Sequence, residues 1–298
     1  MIRGAHRLFT ALLAVAATLS PAAAADKPAA DTSRIVSIGG DVTEILYALK
    51  ADPKIVAVDT TSTYPANALK EKKSVGYMRA LSTEGVLSTD PTLIIAGADA
   101  GPAEVVSALK ASSVPYVQVP FEPSLEGVTK KINVVAEAIG AQAEADKLTK
   151  AVTGQFAALA EARGQIEKPV RALFVLAVQN GRAIAAGKGT AANAVIELAG
   201  AENVAADMHG FKPITDEAVI DRAPDVIITM AAGAPGHDPG AILKLPAFKS
   251  TPAGQNERLI VMDGNYLLNF GPRAGQASAE LLQALYPESA AAAQGKGQ

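Results

Sequence analysis

The chain has 298 residues, no cysteine, no tryptophan, and 27 Lys and Arg against 30 Asp and Glu. Without cysteine there can be no disulfide, thiolate metal site, iron–sulfur cluster or lipid-modified N-terminal cysteine. A mildly acidic chain with few aromatics argues against nucleic acid as a partner and against a base-stacking platform.

The first residues read as a secretory signal. Arg3, His6 and Arg7 make a basic start, Leu8 to Leu19 an apolar core too short to span a bilayer, and Pro21 to Ala25 a small-residue cleavage site. Cleavage is expected after Ala25, which places the mature protein in the periplasm. Residues 26–33 form a polar lead-in. Arg34 to Ile38 is a first strand, followed by Gly39-Gly40. A helix from Glu44 to Lys50 is expected, capped by Asp41 or Thr43. Strands at Lys54 to Val58, Leu93 to Ala96 and Tyr116 to Val119 follow, with a helix at Pro102 to Ala111 before the last. This βα alternation predicts a parallel sheet. From Pro123 to Glu161 the pattern changes. Leu125, Val128, Ile132, Val135, Ile139, Leu148, Val152, Phe156 and Leu159 recur at helical spacing. The reading is a long helix, broken once near Gly140-Ala141. A second βα series then runs through strand Arg171 to Ala177, helix Ala191 to Ala199, strands Val226 to Met230 and Leu259 to Met262, and a closing helix Ala274 to Leu285.

Two stretches are nearly alike, Leu81 to Ala96 and Ile214 to Thr229. Each has a hydroxyl residue (Ser82, Thr215) two before a glutamate (Glu84, Glu217), then an apolar pair, a proline and a strand-like run. The unit reads as helix cap, short helix, proline stop and buried strand. One copy in each half suggests two lobes on one plan, with a ligand cleft between them. The expected division is a signal at 1–25, lead-in 26–33, first lobe 34–122, linker helix 123–165, second lobe 166–290 and tail 291–298. A helical spine resists bending, so little lobe closure is expected on binding. The alternative is a single doubly wound domain with a long crossover helix.

Taken alone, Tyr77 reads as an amphipathic core tyrosine. The motifs around it change that. Ile38-Gly39-Gly40-Asp41-Val42-Thr43-Glu44, Val58 to Pro65, Gly76-Tyr77-Met78-Arg79-Ala80-Leu81-Ser82, Gln179-Asn180-Gly181, Gly187-Lys188-Gly189-Thr190 and Asn269-Phe270-Gly271-Pro272-Arg273 come in one order and spacing. Together the motifs resemble the periplasmic haem-binding proteins of bacterial haem ABC importers, over essentially the whole mature chain. The fold so implied is α/β: two Rossmann-like lobes with central parallel sheets joined by a long α-helix, the class III periplasmic binding protein plan.

The resemblance implies that Tyr77 is the axial ligand of ferric haem (ferric protoporphyrin IX), carried as cargo. Phenolate is a hard anionic donor suited to Fe(III), and tyrosine is an established axial haem ligand. A free phenol titrates near pH 10, so something must favour the anion. Arg79, two residues on, would share the side of Tyr77 in an extended segment and either favour the phenolate or pair with a propionate. Tyr266 and Arg273 would approach the cleft from the second lobe. Arg273 would contact a propionate or only fix the start of the last helix. The amides of Gly39 and Gly40 would meet a carboxylate, or make only a tight turn. Two histidines follow the signal, His209 and His237. His237, in a loop after a second-lobe strand, is a candidate second axial ligand or a plain exposed residue. Glu84 and Glu217 are candidate docking points for an ABC permease dimer with its ATPase, or each is the N3 residue of a capping box. The reading is of a monomeric carrier, not an enzyme, touching the membrane only through the permease. A ferric-siderophore or cobalamin carrier would share the fold. An exported hydrolase is the alternative of another class, but no Gly-x-Ser-x-Gly or His-Glu-x-x-His motif supports it.

Overall fold

A computed structural model describes residues 31–231 and 238–287. The signal segment, His237 and the tail from 288 lie outside the described residues. In chain order the first elements are β1 (Ile35–Ile38), α1 (Gly40–Ala48), β2 (Ile55–Val58), α2 (Ala68–Glu71), β3 (Lys73–Ser74), α3 (Thr83–Leu87), β4 (Leu93–Gly97), α4 (Ala103–Ala111) and β5 (Tyr116–Val119). The strands form one parallel sheet in the order β3-β2-β1-β4-β5. β1 and β4 are buried along their whole length. Such unbroken apolar runs belong to strands covered on both faces.

α1 starts four residues earlier than its sequence suggests. Gly39 is its N-cap at φ +113, a conformation that favours glycine. The two expected caps are occupied elsewhere. Thr43 turns inward, its Oγ1 2.7 Å from both Ser37 Oγ and Ser62 Oγ, and Asp41 faces Lys131. A Cβ on Gly40 would fall 2.4 Å from the Thr61 carbonyl oxygen and 2.9 Å from Asn269 Nδ2, so glycine lets two distant segments meet here.

The helical region is two helices, α5 (Leu125–Ile139) and α6 (Gln142–Arg163). Gly140, at φ +70, ends α5 in the left-handed conformation that glycine adopts at little cost. The remaining elements are β6 (Arg171–Gln179), β7 (Arg182–Ala186), α7 (Ala191–Leu198), β8 (Glu202–Asn203), β9 (Phe211–Pro213), α8 (Asp216–Arg222), β10 (Val226–Met230), α9 (Pro239–Ile242), α10 (Pro246–Lys249), α11 (Pro252–Gln255), β11 (Leu259–Met262), α12 (Gly264–Leu268) and α13 (Ala274–Leu285). Their sheet is ordered β11-β10-β6-β7-β9, with β8 beside β6. β11, β10 and β6 pair in parallel, as expected, and the short β8, which the sequence did not suggest, pairs in parallel with β6. β7 and β9 are antiparallel, which the periodicity did not suggest. The cause is local: Asn180 and Gly181 both take positive φ (51° and 75°), as a two-residue hairpin turn of the Asn-Gly type requires.

The repeated sequence unit occupies equivalent places. Ser82 caps α3, which leads into β4 beside β1; Thr215 caps α8, which leads into β10 beside β6. One apolar cluster joins the two sheets. It runs from Ile35, Ile45 and Leu46 through Val128, Ile132 and Val135 of α5 and Phe156 of α6 to Phe174, Val195 and Leu281. Two smaller clusters cover the other faces of the sheets. Each fully buried Val, Leu or Ile in this set stabilises by roughly 1.5–3 kcal/mol. The two sheets therefore share a core through the helices between them.

Candidate functional site

Parallel sheets bind ligands beyond the carboxyl ends of their strands. The loop leaving β3 is held there by main-chain bonds. Thr60 N donates to the Gly76 oxygen at 2.9 Å, Gly101 N to the Met78 oxygen at 2.9 Å, and Leu81 N to the Gly101 oxygen at 3.0 Å. Met78 is buried, while Tyr77 is 44% exposed. The buried methionine anchors the loop and turns its two neighbours outward.

Tyr77 and Arg79 do share a side. Arg79 Nη1 donates to the Tyr77 hydroxyl oxygen at 2.8 Å, and its Nη2 donates to Asp99 Oδ2 at 2.7 Å. The guanidinium carbon lies 5.9 Å from the Tyr77 ring centroid. Partial burial alone would make Arg79 less basic, but the bonds to Tyr77 and Asp99 outweigh it and raise its pKa. Asp99, which the sequence reading passed over, is the acid in the short loop after β4. The arrangement is a phenol oxygen facing solvent, with a cation bonded to it and a carboxylate fixing that cation.

The second half meets the first through a different group. Arg273, at the N-cap of α13, donates from Nη2 to Glu44 Oε2 at 2.9 Å, and its backbone N–H donates to Glu44 Oε1 at 3.1 Å. Its guanidinium lies 3.5 Å from the Tyr64 ring centroid and 4.6 Å from that of Tyr266. Of the two roles offered for Arg273, the structure shows it at the start of the last helix with its charge taken by Glu44. Burial raises the Glu44 carboxyl, although the bond from Arg273 pulls the other way. Tyr266 donates its hydroxyl to Glu280 at 2.8 Å, and burial followed by that bond holds the phenol well above its usual range. Beneath these, Lys131 of α5 is fully buried. Its Nζ donates to Asp41 Oδ2 at 2.5 Å and to the Asn269 oxygen at 2.7 Å, and lies 4.7 Å from the Phe121 ring centroid. Lys131 thus ties α1, α5 and the loop before α13 at one point.

The glycine amides need correction. Gly39 N donates to Asp59 Oδ1 at 2.7 Å, and Gly40 N to Thr61 Oγ1 at 3.0 Å. Neither amide is left to meet a ligand carboxylate, because the loop after β2 has already filled that role. Glu84 and Glu217 are both exposed and form no ion pair among the described residues. They are not N3 residues of capping boxes. Ser82 and Thr215 accept from Gly85 N and Ala218 N, which places the glutamates at the second helical position. His209 is exposed, beside Lys188 in a short bridge. An apolar groove of about 340 Å³, lined by Phe156, Ala160, Arg163 and Leu198, sits where α6 meets α7 and is separate from the strand ends.

Residues 35–266 match the family described as "Periplasmic binding protein". The chain is 30% identical over 262 residues to an uncharacterized ABC transporter substrate-binding lipoprotein, YvrC, of Bacillus subtilis, spanning 87% of this chain and 82% of that one. It is 28% identical over 197 residues to a vitamin B12-binding protein of Vibrio parahaemolyticus, covering 66% and 70% of the two chains. Among solved structures it is similar to the periplasmic heme-binding protein RhuT of Roseiflexus sp. RS-1 in apo form, with a TM-score of 0.82 and 38% identity over 87% of this chain and 99% of that one. It is also similar to the periplasmic heme-binding protein BhuT in complex with two hemes, with a TM-score of 0.80 and 36% identity over 86% and 98%.

Proposed function

Because this chain belongs to the periplasmic binding protein family, we propose that it captures ferric haem through Tyr77 and hands it to the permease of an ABC importer. The coarser part is plain: it is an extracytoplasmic substrate-binding protein of an ABC importer and not an enzyme. Haem is the finer reading. The two lobes are residues 34–122 and 166–290, with 123–165 between them, and a signal cleaved after Ala25 directs export to the periplasm.

The observation that carries the haem reading is the exposed Tyr77 hydroxyl with Arg79 donating to it and Asp99 behind. An oxygen donor of this kind needs a ligand with an open coordination position on a hard cation. Ferric haem offers one. A hexadentate ferric siderophore fills the iron sphere with its own oxygens and leaves nothing for a tyrosine to bind. Cobalamin brings its own nitrogen ligand to one face of the metal, so it has less use for a protein phenolate. The relatives named for vitamin B12 keep cobalamin as the second reading.

In capture, the Tyr77 oxygen gives up its proton and binds iron while Arg79 stays bonded to it and balances the charge. Asp99 keeps the guanidinium in position. Glu84 and Glu217, on equivalent helices of the two lobes, are the permease contacts. The test is titration of the mature protein with ferric haem, followed by visible absorption, for wild type and Tyr77→Phe. Saturation with a phenolate-type spectrum that the variant loses supports the reading. A Tyr77-independent spectrum removes Tyr77 from the site, and tight cobalamin binding with no haem binding replaces the ligand.

A further inference from the structure

The cations that sequence would assign to the ligand's carboxylates are already committed. Arg79 is shared between Tyr77 and Asp99, and Arg273 is held by Glu44. The amides of Gly39 and Gly40 are filled by Asp59 and Thr61. A third arginine, Arg182, opens β7 just past the turn that follows β6. The residues from 232 to 237 contain no lysine or arginine.

Arg182 differs from the other two. It is exposed, and its side chain has no ion-pair or hydrogen-bond partner among the described residues. Its place follows from strand register. Val226 pairs with Ala172 and Ile228 with Phe174, so the end of β10, Met230, is level with Leu176. β6 runs on to Gln179, where it pairs with Arg182. Three further residues at about 3.3 Å each carry the hairpin tip about 10 Å past the strand ends, on the side where ligands bind. The tip also presents the amide side chains of Gln179 and Asn180, both exposed. It is a donor-rich, uncommitted point beyond the carboxyl ends of the parallel strands.

We infer that Arg182, at the tip of the β6–β7 hairpin, is the residue that meets the carboxylates of the bound ligand, in place of Arg79 and Arg273. The inference rests on the haem reading and names the second contact that reading lacks. A guanidinium matches a carboxylate in a two-point fork. The chemistry recognised is a planar metal complex carrying an acidic side arm at its edge.

The test compares ferric protoporphyrin IX with its dimethyl ester, which keeps the ring and iron and removes the acid charges. Wild type and Arg182→Ala are titrated with both, followed by visible absorption. Arg182 is exposed on a hairpin, so its replacement leaves the fold intact, which far-UV circular dichroism verifies. Wild type should prefer the acid by about 10- to 100-fold, the range of one charge-assisted contact. Arg182→Ala should lower that preference to under about 3-fold, through weaker binding of the acid alone. The iron–phenolate spectrum should not change. An unchanged acid-to-ester ratio in Arg182→Ala, or no preference in wild type, overturns the inference. If wild type gives no Tyr77-dependent spectrum with either porphyrin, the haem reading itself fails and this inference falls with it.

Discussion

Lys131 and Asp41 make the most direct energetic prediction. The lysine is fully buried and the Asp41 side chain is 11% exposed, with 2.5 Å between Nζ and Oδ2. Removing one partner of a buried pair costs about 3–5 kcal/mol, because the other charge stays behind without compensation. Asp41→Asn keeps the shape and removes the negative charge. Lys131 would retain the Asn269 oxygen and the Phe121 ring, so the cost falls at the low end, about 3 kcal/mol. For a chain of this size that is a fall in Tm of roughly 6–12 °C. Asp41→Leu with Lys131→Met should recover most of the loss, since an apolar replacement of a buried pair is often neutral. Thermal unfolding by circular dichroism reads both. A shift under about 3 °C for the single variant, or a double variant no better than the single, would show that the pair is not what holds this point together.

Arg79→Ala should weaken haem binding by about tenfold while leaving the fold unchanged, since one hydrogen bond to a charged oxygen is lost; equal affinities by titration would leave Arg79 without a part in binding. Glu44 supplies a pH dependence. Its folded pKa is raised, so the folded state holds the proton more tightly, and stability declines as pH rises from the usual carboxylate range through the raised value, then levels off. Glu44→Gln should flatten that slope in denaturant unfolding between pH 4 and 7; the same slope in the variant would assign it to another group. Glu84→Ala with Glu217→Ala should spare haem binding and reduce transport through the reconstituted importer, and normal uptake by the double variant would reject the docking role. Small-angle scattering of empty and loaded protein should agree to within a backbone shift of about 1 Å; a marked compaction would refute the fixed cleft.

Much of the architecture was readable because it is written locally. Strands such as Tyr116–Val119 and Val226–Met230, and the helix Ala274–Leu285, are bounded where apolar periodicity meets prolines and caps. The Leu81–Ala96 and Ile214–Thr229 likeness marked equivalent units of the two sheets. Features that depend on distant partners stayed hidden. Thr43 has the side chain of a helix cap, and only Ser37 and Ser62 show why it is not one. At the site, Tyr77 and Arg79 could be paired by their spacing, but Asp99 is 20 residues further on, and Glu44 and Arg273 are separated by 229. Nothing in either neighbourhood announces the other. The Asn180-Gly181 turn is the exception: an Asn-Gly pair between apolar runs is a hairpin signal, and its two strands were legible in principle.

The shared core and the buried Lys131 tie also bear on traffic at the membrane. A carrier that does not close on its cargo keeps the same outer face whether full or empty. If Glu84 and Glu217 are the permease contacts, they then stand at the same separation in both states, and the permease would not sort carriers by shape at first contact. Empty copies would compete for the docking site. Uptake would then pass through a maximum as carrier concentration rises at fixed haem, with the strain needed to pry out the ligand supplied from the ATP-driven side of the importer.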